Sequence, residues 1–151
     1  MAQVTSSGQV GHQPVVAGAL RALIVFDTIA LLFAGIVHLV GARIPLGVTV
    51  FLEPPIIPAG IVEGAAGLIF VLAMYAVFAG KRWAWGAALT AHLFAIAGFL
   101  LGIWATRTGT TTFNHTYHYV MLAVFVLGLA LLLLPGTRAG LGPHKDGPRA
   151  A

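Results

Sequence analysis

Apolar residues run almost unbroken through four stretches of the chain, Leu20 to Val40, Ile57 to Ala79, Trp83 to Ala105 and Tyr117 to Leu134. Each has close to the about 20 residues that a helix needs to cross a hydrocarbon layer about 30 Å thick. Only 8% of the 151 residues are charged and 59% are hydrophobic, whereas a soluble domain carries roughly 25% charged residues. Too little polar surface remains to keep such a chain dissolved. The expectation is an all-α integral membrane bundle of four antiparallel transmembrane helices, with the lipid bilayer as its surroundings.

The breaks between the stretches set the topology. Gly80, Lys81 and Arg82 alone join the second span to the third, so these two must be antiparallel neighbours. Between the first and second spans lie residues 41–56, and from Arg43 to Pro58 the chain reads RIPLGVTVFLEPPIIP, too polar and proline-rich to cross. Pro45, Pro54, Pro55 and Pro58 would interrupt a helix, and the segment is expected as an ordered external loop lying on the interface or capping the bundle. Residues 1–19 are expected as a flexible cytoplasmic N-terminus. Residues 136–151, rich in Gly and Pro, are expected as a disordered cytoplasmic tail. No basic segment precedes an apolar core and a small-residue cleavage site, so a removable signal peptide is not expected.

Basic residues orient the bundle. Arg21, Lys81, Arg82, Arg138, Lys145 and Arg149 fall on one side, and only Arg43 and Arg107 on the other, which places both termini in the cytoplasm of a cell whose inner (plasma) membrane holds the protein. Trp83 and Trp85 at one end, and Trp104, Tyr117 and Tyr119 at the other, fit interfacial aromatic belts. A net charge of +4 spread over the loops concerns orientation, and nucleic acid is not an expected partner. With no cysteine the chain has no disulfide, thiol nucleophile or thiolate metal site.

Five ionisable side chains fall inside the spans: Asp27, His38, Glu63, His92 and His118. Each costs about 2.5–3.5 kcal/mol on insertion scales and therefore faces a partner or a cavity. At about 1.5 Å of rise per residue, His38, Glu63 and His118 lie roughly 7–12 Å above the midplane, and Asp27 and His92 roughly 3–5 Å below it. Two polar layers result. Asp27, Leu31, Ala34 and His38 share one helix face, and Gly60 and Gly67 flank Glu63 on another, where a neighbouring backbone or a flat cofactor can approach. Gly98 and Gly102 have the same four-residue spacing as Gly60 and Gly64, which suits close helix packing.

Several chemistries suit the upper layer. His38 and His118, at matching depth on adjacent helices, could be the two axial ligands of a b-type haem. With Glu63 they also make a two-histidine, one-carboxylate set suited to iron or another divalent metal. Alternatively Glu63, as a catalytic proton-handling group, and the histidines could serve a quinone. The plain alternative for each residue is an interhelical hydrogen bond, and for Asp27 with His92 an ion pair or hydrogen bond in the lower layer. His115 is expected just outside the span. Asn114-His115-Thr116 matches a glycosylation acceptor, a three-residue pattern too short to carry weight.

LLFAGIVHLVG, GIVEGAAGLIFVLA, the basic turn AGKRW and the closing LLLLPGTRAG together resemble DoxX-like membrane proteins, small bacterial four-helix bundles. That resemblance spans about Leu20 to Gly140 and implies a redox-associated subunit, linked in the family to quinone-coupled chemistry, with Glu63 and His38 at matching positions. The loop from Arg43 to Pro58 and the segment NHTYHY depart from the family pattern. The functional expectation is an accessory redox subunit binding a quinone or haem, more an accessory than a stand-alone enzyme. The alternatives are a small proton-coupled transporter or channel, with Asp27 and His92 extending the polar path, and a structural or assembly subunit. Other membrane subunits or further copies of the chain are the expected protein partners.

Overall fold

The computed structural model describes residues 13–47, 49–107 and 112–141. In chain order its elements are α1 (Gln13–Val40), β1 (Ala42–Leu46), β2 (Thr49–Glu53), α2 (Ile57–Phe78), α3 (Ala84–Thr106), α4 (Thr112–Leu133) and α5 (Thr137–Gly140). Four helices are long and apolar enough to cross a bilayer, over Val15–Val40, Ile57–Phe78, Ala84–Ala105 and Phe113–Leu133. In hydrocarbon a helix satisfies its own backbone polar groups. The chain is a multi-pass membrane protein with four candidate spans, and consecutive helices pack on one another as a four-helix bundle.

The side-chain pairing fixes the antiparallel arrangement. Gly35 faces Gly64 and Leu39 faces Gly60 across α1 and α2, and Gly102 meets His118 while Gly128 meets His92 across α3 and α4. Large apolar side chains point outward, among them Phe33, Leu68 and Leu101, and the interior is built from Ala66, Ala73, Ala88, Ala91 and Ala95 around Phe70 and Phe125. Lipid is as apolar as leucine, so burying a large side chain gains little; small residues that let helix backbones approach gain contact instead.

The tightest contact is that of α1 on α2. A Cβ on Gly35 would lie 2.8 Å from the backbone N of Gly64, one on Gly60 would lie 2.9 Å from the backbone N of Leu39, and one on Gly67 would lie 2.7 Å from a methyl of Leu32. Gly60 and Gly67 therefore do not stand beside a cofactor, as the sequence suggested. Of the two occupants that their lack of a side chain admits, a neighbouring backbone and a flat ligand, α1 takes the place. The turn from α2 to α3 follows the expected tight connection: Gly80 has φ +57°, and Lys81 N donates to Ala76 O at 2.8 Å, the bond that closes a helix on a left-handed glycine.

Within residues 41–56 the expected loop is instead largely a β-hairpin, with Arg43 opposite Leu52 and Ile44 opposite Phe51. Its strands obey a period of two: Phe51 and Glu53 turn toward the bundle, whereas Val50 and Leu52 are exposed. Pro45 is tolerated because a two-stranded ribbon consists only of edges. Ile56 N donates to His38 O at 2.7 Å and Phe51 packs edge-on against Phe113 at 4.8 Å, so the hairpin is seated over one end of the bundle.

At the opposite end, α5 replaces the first part of the expected disordered tail. Thr137 Oγ1 donates to Leu131 O at 2.9 Å, Arg21 donates to Gly140 O at 3.4 Å, and Leu141 is fully buried. Helix α1 likewise begins at Gln13, inside the segment expected to be flexible. The remaining terminal expectations, including the cytoplasmic placement of Lys145 and Arg149, fall outside the described residues. Helix α4 begins at Thr112, so Asn114 and His115 are helical and lie within the span, which corrects the placement of His115 outside it.

Candidate functional site

His38 is the hub of a polar cluster beneath the hairpin. It sits in the last turn of α1, where the α1–α2 contact brings it against Glu63 in the second turn of α2. Nδ1 of His38 donates to Oε2 of Glu63 at 2.5 Å. On the other edge of the ring, Nε2 lies 3.5 Å from Asn114 Nδ2 and 3.8 Å from Glu53 Oε1, and Asn114 Nδ2 donates to Glu53 Oε1 at 3.2 Å. One imidazole thus stands between two carboxylates that come from different elements. His38 and Glu63 are 4% and 3% exposed and Glu53 4%, so the cluster faces protein and not acyl chains.

Sequence reasoning missed Glu53 and Asn114. The alternation Phe51, Leu52, Glu53 was the available signal for the first, since it puts an aromatic ring and a carboxylate on one face of a strand. For Asn114 the only signal was its spacing of four from His118, which requires the span to begin before Tyr117.

His118 belongs to the same end of the bundle but not to the same contact. Its Nδ1 donates to Asn114 O at 2.8 Å within α4, and its ring lies where a Cβ of Gly102 would fall, 2.6 Å from Nε2. Among the described residues, two cavities open at this end. One, of about 430 Å³, lies between α1, α4 and the hairpin and is lined by Phe26, Phe33, Phe51 and Phe113, with His38, Glu53, Asn114 and Tyr117 at its polar end. The other, of about 350 Å³, lies between α2, α3 and α4, with Glu63, Asn114 and His118 as its polar residues. His38 and His118 therefore line different cavities, and they do not form the axial pair of a haem. Nor do they make a metal site with Glu63: His38 and Glu63 bind each other, and among the described residues no three His, Asp or Glu side chains form a group able to hold an ion.

The polar atoms left over define what the first cavity can bind. At its polar end Glu53 Oε2 and the Tyr117 hydroxyl are buried without a hydrogen-bond partner among the described residues; Tyr117 also lies beside Glu63, whose own unpaired Oε1 belongs to the second cavity. Buried polar groups are nearly always satisfied, so an unpaired acceptor and a hydroxyl at the end of an apolar cavity mark a place for a ligand with both donors and acceptors.

The second polar layer is a separate pair. His92 Nε2 faces Asp27 Oδ2 at 3.6 Å with both side chains fully buried, and His92 Nδ1 donates to Ala88 O at 2.7 Å. The approach is within ion-pair range but longer than a hydrogen bond, and both Asp27 carboxyl oxygens and His92 Nε2 are buried without a hydrogen-bond partner among the described residues. Gly128 lies directly against the ring and leaves space for it. Leu31, fully buried, separates the layers on α1. On the other helices rings bridge the distance: Phe99 packs on His118 at 5.2 Å and on Phe125 at 5.0 Å, Phe125 on Phe70 at 5.9 Å, and Phe70 on His92 at 5.0 Å. This apolar column interrupts the polar path that a transport reading draws from His38 to Asp27.

Comparison of the chain with family models, curated proteins and solved structures found no match to any of them.

Proposed function

We propose that this protein binds a lipid-soluble quinone or its hydroquinone in the cavity between α1, α4 and the hairpin, as an accessory subunit to a membrane redox partner. The observation that carries the reading is the cavity of about 430 Å³, apolar along its length and polar at one end. Its size falls within the about 300–1,000 Å³ of small-molecule pockets. A ring enters among Phe26, Phe33 and Phe113, which border it on the lipid side. A quinone carbonyl accepts from the Tyr117 hydroxyl, and a hydroquinone hydroxyl donates to Glu53 Oε2, so the unpaired donor and acceptor suit both redox states. Each interconversion moves two electrons, which pass to the partner protein, and two protons, one held by Glu53 and the other by the joined His38 and Glu63. The resemblance to DoxX-like proteins supports the same class of ligand. By the bias of the basic residues the cavity lies toward the outer leaflet of a bacterial inner membrane, with both termini in the cytoplasm.

The test is calorimetric titration of a decyl-substituted benzoquinone into the full chain in lipid nanodiscs, with empty nanodiscs as the reference. Binding should weaken roughly 3- to 10-fold in Tyr117→Phe, the loss of one hydrogen bond worth about 0.5–1.5 kcal/mol. It should vanish in Ala30→Trp, where the new ring fills the cavity. Equal binding to all three proteins, or none above empty nanodiscs, refutes the assignment.

A further inference from the structure

The second cavity touches the same proton-holding pair from the other side. Glu63 Oε2 is engaged by His38, whose ring borders the first cavity. Glu63 itself borders the second cavity, and its Oε1 is buried without a partner among the described residues. Around it the wall is made of small or conformationally fixed residues: Pro58 and Ala59 on α2, and Gly98, Gly102 and Ala105 on α3, over a floor of Phe99. The room exists because two glycines supply it. A Cβ on Gly102 would strike the His118 ring at 2.6 Å, and one on Gly98 would meet Val62 at 3.0 Å. With Nδ1 of His118 donating to Asn114 O, its Nε2 is an acceptor, as is Glu63 Oε1. In an apolar cavity of about 350 Å³ where Glu63 Oε1 and His118 Nε2 are acceptors and the Asn114 amide already donates to Glu53, a ligand that brings a donor is selected.

We infer that the cavity between α2, α3 and α4 is a second ligand site, which takes an apolar aromatic molecule bearing a hydroxyl group, the hydroxyl donating to Glu63 Oε1. Glu63 and His38 then lie in line between the two cavities: hydroxyl to Oε1, and Oε2 to Nδ1, with Nε2 facing the first cavity. A proton taken up at His38 Nε2 from the first cavity is matched by the Nδ1 proton passing to Oε2 of Glu63, beside the second cavity, with no electron transfer at this site. The existence of the second site does not depend on the quinone reading; the proton relay between occupants does.

Photolabelling of the full chain in lipid nanodiscs with 4-hydroxybenzophenone, followed by peptide mapping, tests the site. The probe carries the hydroxyl and inserts into neighbouring C–H bonds, and 4-methoxybenzophenone has the same rings without the donor. Labelling is expected on the α2 and α3 residues that face the cavity, Val62 and Ala105 among them, and about tenfold weaker with the ether. Glu63→Gln should reduce it about tenfold too, because a hydrogen bond to a charged acceptor is roughly twice as strong as a neutral one. Ala105→Phe, an exposed substitution at the mouth that leaves the interior intact, should abolish it. Equal labelling by phenol and ether, or labelling unchanged in Ala105→Phe, means simple partition into lipid and overturns the site. Labelling confined to the first cavity also overturns it, with the quinone reading intact. Labelling at the second cavity together with a failed quinone titration keeps this site and removes the other.

Discussion

Gly35 and Gly64 face one another across α1 and α2, yet alanine at the two positions should have opposite effects. A Cβ on Gly35 would sit 2.8 Å from the backbone N of Gly64 and 3.0 Å from its Cα, whereas a Cβ on Gly64 meets nothing within 4 Å. To restore an ordinary contact of 3.4 Å, α1 must retreat by about 0.6 Å, and a gap of that size forfeits about a quarter of each dispersion well along the seam. Overpacking of this kind costs about 1–3 kcal/mol. Both variants gain the same helix preference of alanine over glycine, about 1 kcal/mol, so their difference isolates the steric part. Gly35→Ala should be less stable than Gly64→Ala by about 1–3 kcal/mol, read from SDS-induced unfolding in mixed micelles followed by tryptophan fluorescence. The same retreat stretches the 2.5 Å bond between His38 and Glu63 to about 3.1 Å, so Gly35→Ala should also weaken quinone binding. Equal stability of the two variants would refute the packing account of the α1–α2 contact.

Two other outcomes follow from the buried polar groups. In the lower layer, Asp27→Leu or His92→Leu alone leaves one polar partner unpaired and should cost about 1–3 kcal/mol, while the double substitution should cost less than the sum; additive losses in the same unfolding assay would mean that the two side chains do not interact. Asn114→Leu removes the amide that ties Glu53 to the bundle at 3.2 Å, and hairpin amides should exchange with deuterium about tenfold faster, the equivalent of one lost charge-assisted bond; unchanged exchange would show that the hairpin is held by Phe51 and Phe113 alone.

Much of the bundle could be read from residue order. Gly80, Lys81 and Arg82 forced α2 and α3 together, and the depth of Asp27 and His92 within their spans suggested a meeting that the fold provides at 3.6 Å. His38 and Glu63 were also placed at one depth, and they touch. Depth along a helix does not say which way a side chain turns, and here the sequence reading failed. His118 was grouped with His38 although it points into another cavity, and of the two occupants open to Gly60 and Gly67, a flat cofactor or a neighbouring backbone, it is α1 that covers their face.

The run lengths of apolar residues are set against a hydrocarbon layer of nearly constant thickness, so the number of spans and the burial cost of each ionisable group belong to the linear chain. Which groups relieve that cost for one another is a matter of helix rotation and of what closes the end of the bundle. Glu53 reaches His38 because Ala42–Leu46 and Thr49–Glu53 pair as strands and carry it over α1, and Asn114 reaches both because α4 starts five residues before its apolar run does. Those positions depend on contacts between residues as far apart as His38 and Asn114, 76 places in sequence, and no local pattern encodes them.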